Sequence, residues 1–161
     1  MQREQLKILL LQIRDDHKVR AEELESFARY SQLDVNQIDV LNVFDTPSFD
    51  SSVLEGYDAL YVGGASEANV LEPKIYPFVN DCISLIKFAG DTGIPTFASC
   101  FGFQLAVLAF GGEILSKDED YEMGSIPITL TNLATIDPVF SGTPDKSVSY
   151  THLTLPTIAI V

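Results

Sequence analysis

The residues most able to do chemistry in this chain surround one cysteine. The run Pro95-Thr-Phe-Ala-Ser-Cys100-Phe-Gly-Phe-Gln-Leu105 is largely apolar up to the cysteine and turns at once into a helix-like pattern. A strand that breaks sharply into a helix presents the residue at the break instead of packing it, a geometry called a nucleophile elbow. The helix N-terminus that follows supplies partial positive charge and unpaired N–H groups, which favour thiolate over thiol and can hold a developing oxyanion. One position can then attack a carbonyl and stabilise what the attack creates, so the expectation is an enzyme that forms a covalent thioester.

Gly63-Gly64 stands at the end of a second apolar run, Tyr57-Asp-Ala-Leu-Tyr-Val62. In open α/β sheets ligands bind beyond the carboxyl ends of the strands, where glycines let the backbone come close and aim its N–H groups inward. The pair is a candidate second half of an oxyanion hole, although a bare glycine pair is more often only a turn. A catalytic thiol also needs a base, and the chain has two histidines. His17, among Asp15, Asp16, Lys18 and Arg20, reads as a solvated helix start. His152, between Val148-Ser-Tyr-Thr151 and Leu153-Thr-Leu-Pro156, sits in or beside a late strand and is the better base candidate; a histidine with no role in a polar edge strand carries equal weight. Cys82 shares an apolar helical stripe with Phe78, Val79, Ile83 and Ile86 and reads as core. The two cysteines fit neither a disulfide framework nor a metal-binding spacing, so no metal is expected and a reduced compartment is the simpler assumption.

These residues need a scaffold that puts strand ends together. Leu6–Gln12 reads as a strand buried on both faces, about 16–30 as a helix, Asn36–Val43 and Tyr57–Val62 as strands, and about 74–88 as a helix ending at Gly90. The strand into Cys100 and a helix over about 102–110, closed by Gly111-Gly112, follow. Gly112–Leu115 and Ile126–Leu130 look like further short strands, with a charged connection over 117–122. Alternating β and α segments imply an α/β fold, a single domain with a mostly parallel sheet and helices on both faces, flavodoxin-like in class. With 161 residues, 46% of them hydrophobic, the chain is the size of one ordinary domain. Ten Lys and Arg against 23 Asp and Glu, a formal net charge of −13, argue against nucleic acid or an anionic membrane surface as partner. No apolar run approaches a membrane span and no signal peptide opens the chain, so a cytoplasmic location is expected by default.

Taken together, Gly63-Gly64, Cys100-Phe-Gly-Phe-Gln104 with its flanks, Glu122-Met-Gly124, Ile128-Thr-Leu-Thr131 and Asp137-Pro-Val-Phe-Ser-Gly-Thr-Pro144 resemble the class I (triad-type) glutamine amidotransferases, especially the stand-alone group similar to the glutaminase domain of GMP synthase. The resemblance covers most of the chain. It implies hydrolysis of the glutamine side-chain amide, with the ammonia passed to a synthetase or transferase partner. It further implies Cys100 as nucleophile, His152 as base and acid, the N–H groups of Gly64 and Phe101 as oxyanion hole, and Gly63 and Gln104 as shaping the glutamine pocket. Neither a metal nor an organic cofactor is implied.

The chain departs from the family pattern in two places. Ala98 stands where a glycine is usual two residues before the cysteine, and Thr154 stands where a carboxylate normally orients the histidine; a hydroxyl cannot stabilise an imidazolium by charge. The expectation is a domain incomplete at its C-terminus, with about 147–161 a non-native tail resembling translated library-adapter sequence. The alternatives are a γ-glutamyl peptide hydrolase, a DJ-1/PfpI-like cysteine protein, or a catalytically inactive glutamine-binding or regulatory subunit. The Gln104 offset and the Asp137-Pro segment favour the amidotransferase among the enzymes; Thr154 favours the inactive subunit.

Overall fold

The computed structural model describes residues 2–114, 124–139, 141–143 and 146–151. Among these, contacts gather into two compact units, one up to Glu113 and one from Ile114 onward. The first unit is built on four parallel strands, β1 (Ile8–Gln12), β2 (Ile38–Asn42), β3 (Ala59–Val62) and β4 (Thr96–Ala98), in the order β2-β1-β3-β4. Three helices accompany them: α1 (His17–Ser31), α2 (Phe78–Thr92) and α3 (Phe101–Ala109).

Every residue of β1 is buried, as an inner strand covered on both faces requires. Side chains alternate along a strand, and the packing follows that alternation. Ile8 and Leu10 cluster with Ile38 and with Ala28 of α1, and Leu24, Phe27 and Tyr61 pack against this group. Val62, the next residue after Tyr61, faces the other way and meets Gly102 of α3, along which α2 lies. Helices therefore cover both faces of the sheet, as the sequence pattern predicts.

The helix boundaries follow local chemistry. Asp16 caps α1 by accepting from the Lys18 and Val19 N–H groups, and the helix ends at Gln32, a left-handed residue at φ 56°. The expected end of α2 at Gly90 is wrong. The helix starts later, after Pro77, and ends at Gly93, which takes the left-handed conformation at φ 74°. Gly90 lies inside it because a Cβ there would stand 2.6 Å from the Phe110 ring, so this glycine permits close packing instead of breaking the helix.

Gly112–Ile114, expected as part of a strand, is irregular; a strand there would have to leave a chain already turning through Gly111 at φ 83°. The second unit contains an antiparallel pair, β5 (Gly124–Thr129) and β6 (Lys146–Thr151), which matches the late strands expected near 126–130 and before residue 152. Pro127 fits β5 because a two-stranded ribbon has a free edge on each strand. The charged connection over 117–122 lies outside the described residues. Among the described residues no helix is long and apolar enough to cross a membrane.

Candidate active site

β4 ends at Ala98, Ser99 donates its N–H to the Val62 carbonyl at 3.0 Å, and α3 begins at Phe101. Of the two residues between them, Cys100 takes the unusual turn conformation, at φ 53° and ψ −109°. This is a region that L-residues avoid, and such strain persists only where the surroundings enforce it. The enforcement is visible. The Gly102 N–H donates to both the Ser99 and Gly63 carbonyls, at 2.9 and 3.1 Å, tying the first turn of α3 to the glycine loop. A Cβ on Gly102 would stand 2.7 Å from the Val62 carbonyl oxygen and 2.8 Å from its Cγ1, so only glycine lets the helix come down this close to β3.

Cys100 is partly exposed, whereas Cys82 is sealed inside the core, where burial and the neighbouring Asp81 push its thiol far above the ordinary range. The Phe101 N–H has no hydrogen-bond acceptor among the described residues. Gln104, one turn into α3, is 5% exposed, and its side chain has no hydrogen-bond partner among them. Gly64 lies against the cysteine: its Cβ position would be 3.4 Å from the Cys100 Cβ. The Gly64 N–H donates at 3.2 Å to Oε1 of Glu23, and a Cβ on Gly63 would collide with the same carboxylate at 2.7 Å. The structure thus brings Cys100, Phe101, Gln104, Gly63 and Gly64 to one place. His152 and Thr154 lie outside the described residues. Among those residues no cluster of side chains could hold a metal ion.

Two residues absent from the sequence argument also stand here. Arg14, just past β1, donates through Nε to Glu23 Oε1 at 3.1 Å and through Nη1 to the Ser66 hydroxyl at 2.9 Å. Its Nη2 lies 2.9 Å from the Gly64 Cβ position. The Arg14 carbonyl accepts from Asn42 Nδ2 at 2.9 Å and from Arg20 Nε at 2.8 Å, and Asn42 also donates to the buried Gln12. The available signal was position: Arg14 follows a buried strand at its carboxyl end, where ligands gather in this architecture.

Comparison with known proteins gives the family. The chain belongs to the class I glutamine amidotransferase family, whose model matches residues 30–154. Similar curated relatives are the GMP synthases (glutamine-hydrolyzing) of two Tropheryma whipplei strains, Twist and TW08/27. Each is 32% identical over 126 residues, covering 74% of this chain and 22% of the relative. The chain thus spans about a fifth of the length of these relatives. Among solved structures, a glutamine amidotransferase from Thermotoga maritima matches with a TM-score of 0.69 at 20% identity, covering 90% of this chain and 59% of that one. A glutamine amido transferase from Methylobacillus flagellatus matches with 0.64 at 18%, covering 92% and 55%. These two matches carry the fold.

Proposed function

We propose that this chain hydrolyses the side-chain amide of glutamine and that the ammonia is used by a synthetase or transferase partner. The observation that carries the reading is Cys100 held at a positive φ, partly exposed, between the glycine loop and the open N–H of Phe101, in a chain of this family. The Cys100 sulfur attacks the amide carbon and the carbonyl oxygen becomes an oxyanion that accepts from the Phe101 N–H, with Gly64 beside it. The C–N bond then breaks as the nitrogen takes a proton and leaves as ammonia. Water attacks the thioester, releasing glutamate and restoring the thiol. His152 is the proposed carrier of those protons, and Gln104 with Gly63 shapes the pocket.

The test is glutamate release from glutamine by the purified chain against a Cys100→Ala variant. Release that depends on the cysteine supports the reading. Equal background in both, together with no covalent trapping of Cys100 by a chloroketone made from glutamine, refutes it. In that trap the deprotonated sulfur adds to the ketone carbon to give an alkoxide, then shifts to the chloromethyl carbon as chloride leaves and the ketone re-forms, which leaves a stable thioether.

A further inference from the structure

The Gly64 N–H, one of the two amides expected to receive the oxyanion, is engaged by the Glu23 carboxylate. A carboxylate holding that donor would repel a second negative oxygen. The position next to it is filled by a different donor. Arg14 Nη2 and the Cys100 Cβ both lie within 3.4 Å of one point, the Gly64 Cβ position, and Nη2 has no acceptor among the described residues. We infer that Arg14 Nη2 is the side-chain donor to the substrate's γ-carbonyl oxygen, and that Glu23 is the positioning residue that aims it. The inference rests on the glutaminase reading and adds a residue to it.

Three features separate this arginine from a loop-bracing ion pair. Its side chain is 19% exposed and that of Glu23 11%, so the pair is largely withdrawn from water, where orientation costs little further reorganisation. Its backbone is fixed independently, by Asn42 and Arg20 on its carbonyl, so the guanidinium is aimed from both ends. Of its three guanidinium nitrogens, Nε and Nη1 bond to Glu23 and Ser66, and the third, Nη2, lies 2.9 Å from the Gly64 Cβ position that the Cys100 Cβ also approaches. An amide whose carbon bonds to the Cys100 sulfur has its oxygen one bond from that carbon, whereas the α-carboxylate of glutamine is separated from it by three intervening carbons.

The experiment is the kinetics of Cys100 trapping by the glutamine chloroketone, followed by intact mass, in the wild-type chain, Arg14→Lys and Arg14→Met. Arg14→Lys retains the cation opposite Glu23, and so the fold, but a single ammonium cannot serve Glu23, Ser66 and substrate together. The expected result is a fall in the maximal trapping rate of about 100-fold in both variants, the scale of a lost oxyanion donor, with the half-saturating concentration within about threefold of wild type. A raised half-saturating concentration at an unchanged maximal rate would assign Arg14 to the α-carboxylate and overturn the inference, as would unchanged kinetics in Arg14→Lys. Absence of trapping in the wild-type chain counts against the glutaminase reading itself and removes this inference with it.

Discussion

Replacing Cys100 by glycine should make the protein more stable than replacing it by alanine, the reverse of the usual order. At φ 53° and ψ −109° any residue with a Cβ is strained, and such positions cost on the order of 1–3 kcal/mol. Alanine keeps the Cβ and so keeps the strain. Glycine releases it, at a cost of about 0.5–1 kcal/mol in backbone entropy and roughly 0.4 kcal/mol for half a buried methyl group. The loss of sulfur is common to both variants and cancels. The net difference is about 1 kcal/mol in favour of glycine, or roughly 2–4 °C in melting temperature for a chain this size. Urea unfolding of the two variants side by side, checked by thermal melts, measures it. If Cys100→Gly proves equal to or less stable than Cys100→Ala, the elbow stores no strain and the argument that the fold holds this thiol forward by force is wrong.

Two further substitutions probe the scaffold around that strain. Gly102→Ala places a methyl group 2.7 Å from a backbone carbonyl that cannot step aside, so it should cost about 1–3 kcal/mol in urea unfolding. It should also lower the chloroketone trapping rate about 100-fold, because α3 must lift and carry Cys100 with it; a normal trapping rate would show that the helix has room. Gln32→Gly is the control at a distance: it removes a left-handed strain of about 1–2 kcal/mol at the end of α1 and sacrifices one exposed bond from Arg3. It should raise the melting temperature and leave trapping unchanged, and a lowered melting temperature would contradict the reading of that helix cap.

What could be read in advance, and what could not, follows from the range of the forces involved. The elbow is a local event: strand, cysteine at a positive φ, then a glycine two residues on, and that glycine is demanded by the Val62 carbonyl of β3 at 2.7 Å. The buried β1 strand and the stripe holding Cys82 were likewise legible, since periodicity reports burial directly. Gly90 misled because a glycine that ends a helix and one that admits a neighbouring ring look the same in one dimension; the ring belongs to Phe110, which arrives only after the chain has turned twice.

Arg14 and Glu23 were hidden for a related reason. Each alone reads as a solvated charge, and their meaning arises where a loop after β1, a helix and the β3 glycines converge on the cysteine. That convergence also explains why Gly63 must stay bare: the carboxylate that would meet its Cβ is pinned by the Gly64 N–H and by Arg14, so it cannot swing away as a free surface glutamate would. The glycine pair is therefore shaped at both residues: the Glu23 carboxylate meets the Cβ position of Gly63, and Arg14 and Cys100 meet that of Gly64. A glycine pair expected from sequence to lend an amide to the reaction is, in the folded chain, also the surface on which an arginine is aimed.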